Sequence, residues 1–305
     1  MREYTPDTIT DAVLEQMGQT PDPRLKEIMA AAVKHLHAFA REVKLTPAEW
    51  LLGIEFLTRV GHACSPVRQE FILLSDTLGL STLVNTLHDS TAIEEATHTS
   101  LLGPFYRENA PELANGDNIA KNDPAEEIQL SGRVTDVEGR PLRNAQVTIW
   151  QTSSGGAYDI QLDPSEPNFR GVFHTDDSGR YLARTVRPLG YYIPMDGPVG
   201  EMVQAQRRHG KRPAHIHFLI SAPGYRELVT ALYLAGDEHL DDDVVFGAAA
   251  NLVVHERRDD LESPGAPSIR FDFTLSRASD ADMQTGRVGA DPAQIAREAV
   301  LTARA

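Results

Sequence analysis

The spacing of apolar residues changes part-way along the chain. From about residue 8 to about residue 90 apolar positions recur at three- and four-residue intervals, the period of an amphipathic helix. In "PRLKEIMAAAVKHLHAFAREV" the residues Leu25, Ile28, Met29, Val33, Leu36, Phe39, Ala40 and Val43 make one stripe that must pack on something. A second helix is expected at "TPAEW", with Thr46 as cap, Pro47 in the first helical position and Glu49 completing a capping box. "SPVRQEFILLSDTLG" repeats the Ser-Pro start and closes near Gly79, and "STLVNTLHD" adds a short helix.

"LLGPFYRENAPELANGDN" is rich in Gly, Pro and Asn and reads as the passage between domains. Beyond it the period falls to two. The runs around "DVEGRP" and around "DDSG" read as two hairpins, and "AHIHFLISA", "ELVTALYLAG" and "SIRFDFTLSRA" supply further strands. The acidic stretch "DEHLDDD", residues 237–243, lacks the Gly and terminal Glu of a calcium loop and reads as solvated. The tail "DPAQIAREAVLTARA" is expected to form a terminal helix. The expected fold is mainly β with an α-helical N-terminal region. Residues 1–105 make a helical domain and linker; residues 106–305 make an antiparallel β-sandwich with a C-terminal helix or tail.

Composition narrows the functions available. With 29 Lys plus Arg against 44 Asp plus Glu, the formal charge of −15 argues against nucleic acid or an anionic membrane as partner. The single cysteine, Cys64, excludes an intramolecular disulfide and a Cys-rich metal site. Neither a secretory leader nor a run of about 18 apolar residues is present, so cytoplasmic residence is the expectation.

The chemistry centres on "RPAHIHFLI". In a strand, residues two apart project to the same side, so His215 and His217 offer two imidazoles to one point while Ala214, Ile216 and Phe218 face the other way. A metal ion is the commonest occupant of such a point; two satisfied core histidines are the alternative. A cupin would place a carboxylate soon after the second His, whereas none occurs until Glu227, and no H-E-x-x-H helix is present. What accompanies the pair is tyrosine in unusual loops: Tyr158 in "SSGGAYDIQ", and Tyr191 and Tyr192 in "RPLGYYIPMDGPVG". A phenol, with its pKa near ~10, ionises at neutral pH only beside a strong positive charge, and ferric iron is such a charge.

The ordered set "GGAYD", "RPLGYYIPMDGP" and "HGKRPAHIHFLISAPGYRELVTALYLAGDE", with "RQEFILLSDTLGLSTLV" and "LLGPFYRENAP", closely resembles the intradiol ring-cleaving dioxygenases and covers most of the chain. The resemblance implies a β-sandwich catalytic domain, a helical dimerisation domain and one Fe(III) per subunit held by Tyr158, Tyr191, His215 and His217. The second tyrosine ligand follows Pro-x-Gly, which selects Tyr191 over Tyr192. Tyr191 is implied to accept a substrate proton as it leaves the metal, and Arg212 to offset negative charge on the ring. The substrates implied are an aromatic diol and O2, and the subunits are implied to pair as a homodimer through the N-terminal helices, with a lipid at the interface. Relatives that cleave catechol carry a polar residue, often Gln, where this chain has Ala231.

Motif-sized cues resemble the hydroxyquinol branch of aromatic catabolism, with catechol or chlorocatechol cleavage as the alternative. They imply a substrate pocket of Leu73, Asp76, Gly103, Pro104, Phe105, Ile193 and Pro194, in which Asp76 receives the additional hydroxyl. The stretch "GRVTDVEGRPLRNAQVTIWQT" taken alone resembles metal-free transthyretin-like sandwiches, the alternative from another class.

Overall fold

The computed structural model describes residues 3–65, 68–89, 95–258 and 266–278; the expected C-terminal helix lies outside them. Seven α-helices are assigned among these residues: α1 Ile9–Gln16, α2 Pro23–Glu42, α3 Pro47–Ala63, α4 Glu70–Thr77, α5 Leu80–Asp89, α6 Asp159–Leu162 and α7 Pro198–Ala205. The strands are β1 Glu127–Asp136, β2 Gln146–Gln151, β3 Arg170–His174, β4 Arg180–Val186, β5 Tyr191–Tyr192, β6 Lys211–Arg212, β7 His215–Ser221, β8 Leu228–Leu234, β9 Val253–Val254, β10 Ser268–Arg270 and β11 Phe273–Leu275. Contacts divide the chain into a unit of residues 1–59 and a unit of residues 60–305.

In the first unit, Asp22 caps α2 by accepting the N–H groups of Arg24 and Leu25, with Pro23 in the first turn. Thr46 and Glu49 form the expected capping box: the Thr46 N–H donates to Glu49 Oε2 (2.9 Å) and the Glu49 N–H to Thr46 Oγ1 (3.3 Å). No residue of α2 is buried, and its stripe of Leu25, Ile28, Met29, Leu36, Phe39 and Val43 stands exposed.

In the second unit, the fourth helix starts later than its Ser-Pro motif suggests. Ser65 and Arg68 pair as an isolated bridge, and α4 begins at Glu70. Burial explains the start: Glu70 is fully buried, accepting the Arg68 side chain (2.9 Å) and the backbone N–H of Val199 at the start of α7 (3.2 Å). The helix closes at Gly79 in the left-handed region, as expected.

Two sheets form the sandwich. In the first, β1 pairs antiparallel with β4 and parallel with β10 and β11; the second has the order β3-β2-β7-β8-β9, with β8 and β9 parallel. The sheets are therefore mixed, and the two expected hairpins are not formed. The turn at "DVEGRP" carries the chain from β1 in one sheet to β2 in the other, and "DDSG" carries it back from β3 to β4. The alternation that was legible in each run serves packing between the sheets. β1 buries every second residue, and Leu130 and Val134 meet Ile149, Ile216, Phe218 and Phe273 in the main core.

Candidate active site

β7 is buried on both sides and divides its residues between two environments. Ile216, Phe218 and Ile220 enter the inter-sheet core, while His215, His217 and Leu219 project from the opposite face. The antiparallel register sets Trp150 of β2 and Ala231 of β8 on either side of His217, and Tyr233 beside His215. Trp150 lies flat on His217, ring centroids 4.8 Å apart and planes 2° from parallel. His217 is thus clamped by stacking. His215 is held differently. Its Nδ1 lies 2.7 Å from the Pro213 carbonyl and must donate to it, which leaves Nε2 unprotonated with its lone pair turned toward the site. The two Nε2 atoms are 3.1 Å apart.

Both tyrosines reach this point from loops. Tyr158 follows a turn through Gly156, which has positive φ, and its N–H donates to Gln161 Oε1 (2.9 Å) at the start of α6. Its side chain is fully buried, with Oη 3.4 Å from His215 Nε2. Tyr191 on β5 is buried edge-on to Tyr158 (5.3 Å), whereas Tyr192 is 61% exposed beneath the Lys211 ammonium. Of the two adjacent tyrosines, Tyr191 is the one that lies beside Tyr158 and His215. Its ladder partner across the two-residue β6 is Arg212, whose Nη1 donates to His215 Nε2 (3.2 Å).

Burial sets the charge state of this group. It pushes the phenols of Tyr158 and Tyr191 above their ordinary pKa, Arg212 opposing the shift in both, and it holds His215 and His217 well below theirs, with Arg212 adding to the effect. The protein alone thus presents two phenols, two neutral imidazoles and one cation, with no carboxylate among the donors. Such an oxygen–nitrogen set fits a hard cation such as ferric iron, whose charge would ionise the phenols.

The expected pocket residues divide into two groups. Phe105 stacks on Tyr158 (4.4 Å) and meets Tyr191 edge-on, and Gly103 lies against His217 in a left-handed conformation where a Cβ would come 3.5 Å from the ring. Pro104 is half-buried between them. Ile193 is buried, its N–H bonded to the Gly210 carbonyl, and Pro194 is half-buried. Leu73 and Asp76 are buried on α4, and Asp76 interacts with the charges of Arg212 and Asp243. Burial raises the Asp76 pKa, against the Ser81 hydrogen bond and the Arg212 charge.

Sequence reasoning missed several supporting residues. Asp243 is buried and grips Arg212, so one end of the acidic stretch read as solvated is interior. Asp237, at the other end, accepts the Ala214 N–H (2.9 Å) just before His215. Asp159 and Arg170 form a buried ion pair beside Tyr158, and Arg170 Nη2 also donates to the Phe105 carbonyl (3.3 Å). Trp150 carried no signal beyond being a strand aromatic. A second trio, His209, His239 and Asp242, gathers ligand-type atoms within 4.8 Å of one another. Asp242 accepts from both imidazoles (3.1 and 2.9 Å) and His209 Nδ1 takes the Lys211 N–H, so this trio is a hydrogen-bonded clasp on the surface.

Comparison with known proteins agrees with this geometry. Residues 101–277 match the family model described as dioxygenase, and residues 22–96 match that of the catechol dioxygenase N terminus. The chain belongs to the intradiol ring-cleavage dioxygenases. These two matches span helices and sandwich together, which a metal-free transthyretin-like module does not account for. Among relatives of this dioxygenase, the 6-chlorohydroxyquinol 1,2-dioxygenase of Cupriavidus pinatubonensis is 44% identical over 90% of this chain and 99% of its own length. The catechol 1,2-dioxygenase of Candida albicans is 37% identical over 93% of this chain and 96% of its own. The solved hydroxyquinol 1,2-dioxygenase of Pseudomonas putida superposes with a TM-score of 0.81 at 42% identity, covering 90% of this chain and 99% of that one. No helix among the described residues is long and apolar enough to cross a membrane.

Proposed function

We propose that this dioxygenase binds one ferric ion through Tyr158, Tyr191, His215 and His217 and cleaves hydroxyquinol between its adjacent hydroxyl carbons to 3-hydroxy-cis,cis-muconate, which tautomerises to maleylacetate. The observation that carries the metal assignment is the convergence of two buried phenols on two imidazole Nε2 atoms that lie 3.1 Å apart. A bound ferric ion would supply the positive charge that ionises the phenols and the Lewis acidity that activates a diol toward O2. The protein's own groups then have defined tasks. Tyr191 Oη, as the ionised phenolate, would accept a substrate proton. The Pro213 carbonyl keeps the proton of His215 on Nδ1. Arg212, whose Nη1 lies 3.2 Å from His215 Nε2, would offset the negative charge that builds on the ring, and Phe105 helps to exclude water from beside Tyr158.

The hydroxyquinol assignment is supported by the named relatives and by a buried acid, Asp76, available to bond the third hydroxyl. Leu73, Gly103, Pro104, Ile193 and Pro194 complete the proposed pocket. Catechol or chlorocatechol cleavage by the same machinery is the second reading, favoured by the Candida albicans relative. Residues 1–105 are assigned as the helical dimerisation domain and linker and residues 106–305 as the catalytic domain of a cytoplasmic homodimer. The exposed stripe of α2 supports such pairing. Oxygen uptake with hydroxyquinol, catechol and chlorocatechol tests the substrate; light scattering tests the dimer, which a monomer at micromolar concentration would contradict.

A further inference from the structure

The Arg212 side chain is buried with every hydrogen-bonding edge engaged. Nε and Nη2 donate to Asp243 Oδ1 and Oδ2 (both 3.1 Å), Nη2 also donates to Tyr233 Oη (3.1 Å), and Nη1 is left pointing at His215 Nε2 (3.2 Å). The Asp243 carboxylate is itself fixed by backbone. It accepts the N–H groups of Val245 (3.3 Å) and Gly247 (3.1 Å), in a turn that holds Phe246 at φ 58°, where a bulky residue is uncommon. Gly247 closes the socket from the other side: a Cβ there would come 2.7 Å from Tyr233 Oη and 2.9 Å from Arg212 Nη2.

We propose that Asp243, seated in the 243–247 turn, is the positioning residue that aims Arg212 at the reacting ring. This rests on the reading of Arg212 given above. A guanidinium has a planar fork, so a bidentate partner on one edge fixes the direction of the other. Asp243 also supplies the buried counter-charge, and its carboxylate is held by the turn independently of Arg212. With the Nε/Nη2 edge committed, Nη1 is the one donor directed into the site.

The test is a double-mutant cycle on the iron-loaded enzyme, using Asp243→Asn, Arg212→Ala and the pair, with hydroxyquinol turnover and the visible band expected from phenolate-to-iron charge transfer measured together. Asp243→Asn is expected to lower kcat about 10–100-fold, the scale of a lost supporting partner, with the visible band retained and KM little changed. In the Arg212→Ala background the same change should lose its effect. Gly247→Ala, which pushes on Arg212 and leaves every charge in place, should lower kcat in the same Arg212-dependent way. In the metal-free protein, phenylglyoxal should label Arg212 faster in Asp243→Asn than in wild type. Equal losses in both backgrounds, or unchanged kcat and labelling in Asp243→Asn, would overturn the proposal. Unchanged kcat in Arg212→Ala would instead remove the reading of Arg212 on which it rests, and the proposal with it.

Discussion

Tyr191 and Arg212 are direct partners across the two-rung ladder of β5 and β6, so a phenol and a guanidinium enter one pocket from paired backbone positions. The next rung pairs Tyr192 with Lys211 on the opposite face, where the ammonium lies 5.5 Å from the exposed ring. Period-two geometry thus assigns adjacent tyrosines to different tasks.

This gives a paired prediction. Tyr192→Phe keeps the aromatic ring over which Lys211 sits and should leave both the visible phenolate-to-iron band and turnover unchanged. Tyr191→Phe removes a proposed metal-binding oxygen and should shift or bleach that band. Absorption spectra of the two iron-loaded variants check it; a change in Tyr192→Phe alone would transfer the ligand role to Tyr192.

Trp150 should matter for stability through His217. It is almost fully buried and covers the imidazole face to face. Trp150→Ala is expected to cost about 3–5 kcal/mol, the range for deleting a large buried aromatic. Trp150→Phe should recover much of the loss by keeping a ring against His217. Urea unfolding of the metal-free proteins reads both, and equal stability of all three would deny the stacking any role.

Asp76 is the proposed contact for the third hydroxyl. A site that hydrogen-bonds a hydroxyl discriminates against an analogue without it, because its buried polar group is then left unpaired. Asp76→Ala should therefore narrow the preference for hydroxyquinol over catechol and leave the visible band intact. Specificity constants for both diols, wild type against variant, measure this. An unchanged ratio would place the selecting contact elsewhere, at Phe105 or Ile193.

The turn after β1 should contribute a pH-dependent part of stability. Asp136 accepts the N–H groups of Glu138 and Arg140, the Arg140 guanidinium (2.7 Å) and the Tyr225 hydroxyl (3.2 Å). Desolvation opposes its ionisation, but the bonds from Arg140 outweigh it and lower the pKa from 3.8 to about 2. A depressed carboxylate stabilises the fold above its unfolded pKa. The advantage of wild type over Asp136→Asn should be full above pH 3.8 and disappear as pH falls through about 2. Denaturation midpoints across that window test the sign, and an advantage that grew on acidification would refute it.

What could be read from the chain was local. The H-x-H strand, the capping box at Thr46 and the alternation in β1 depend on near neighbours and survive in the structure. Pairing does not have that property. The "DVEGRP" and "DDSG" turns reverse the chain, yet the strands they join belong to different sheets because burying both inner faces outweighs local hairpin pairing. The short helices α6 and α7 are too brief to show a period. Asp243 was hidden by composition: five acids in seven residues suggest solvent, and only tertiary contact with Arg212 turns one of them inward.

If Tyr158, Tyr191, His215 and His217 hold an iron used to open the ring between two hydroxyl-bearing carbons, the product identifies the reaction. Mass spectrometry of the product formed from hydroxyquinol by the iron-loaded protein reads it. The expected product is a dicarboxylate, the substrate plus the two atoms of one O2, formed by wild type and lost in His215→Ala. A semialdehyde from cleavage beside the diol, or the same dicarboxylate formed at an undiminished rate by His215→Ala, would contradict the account.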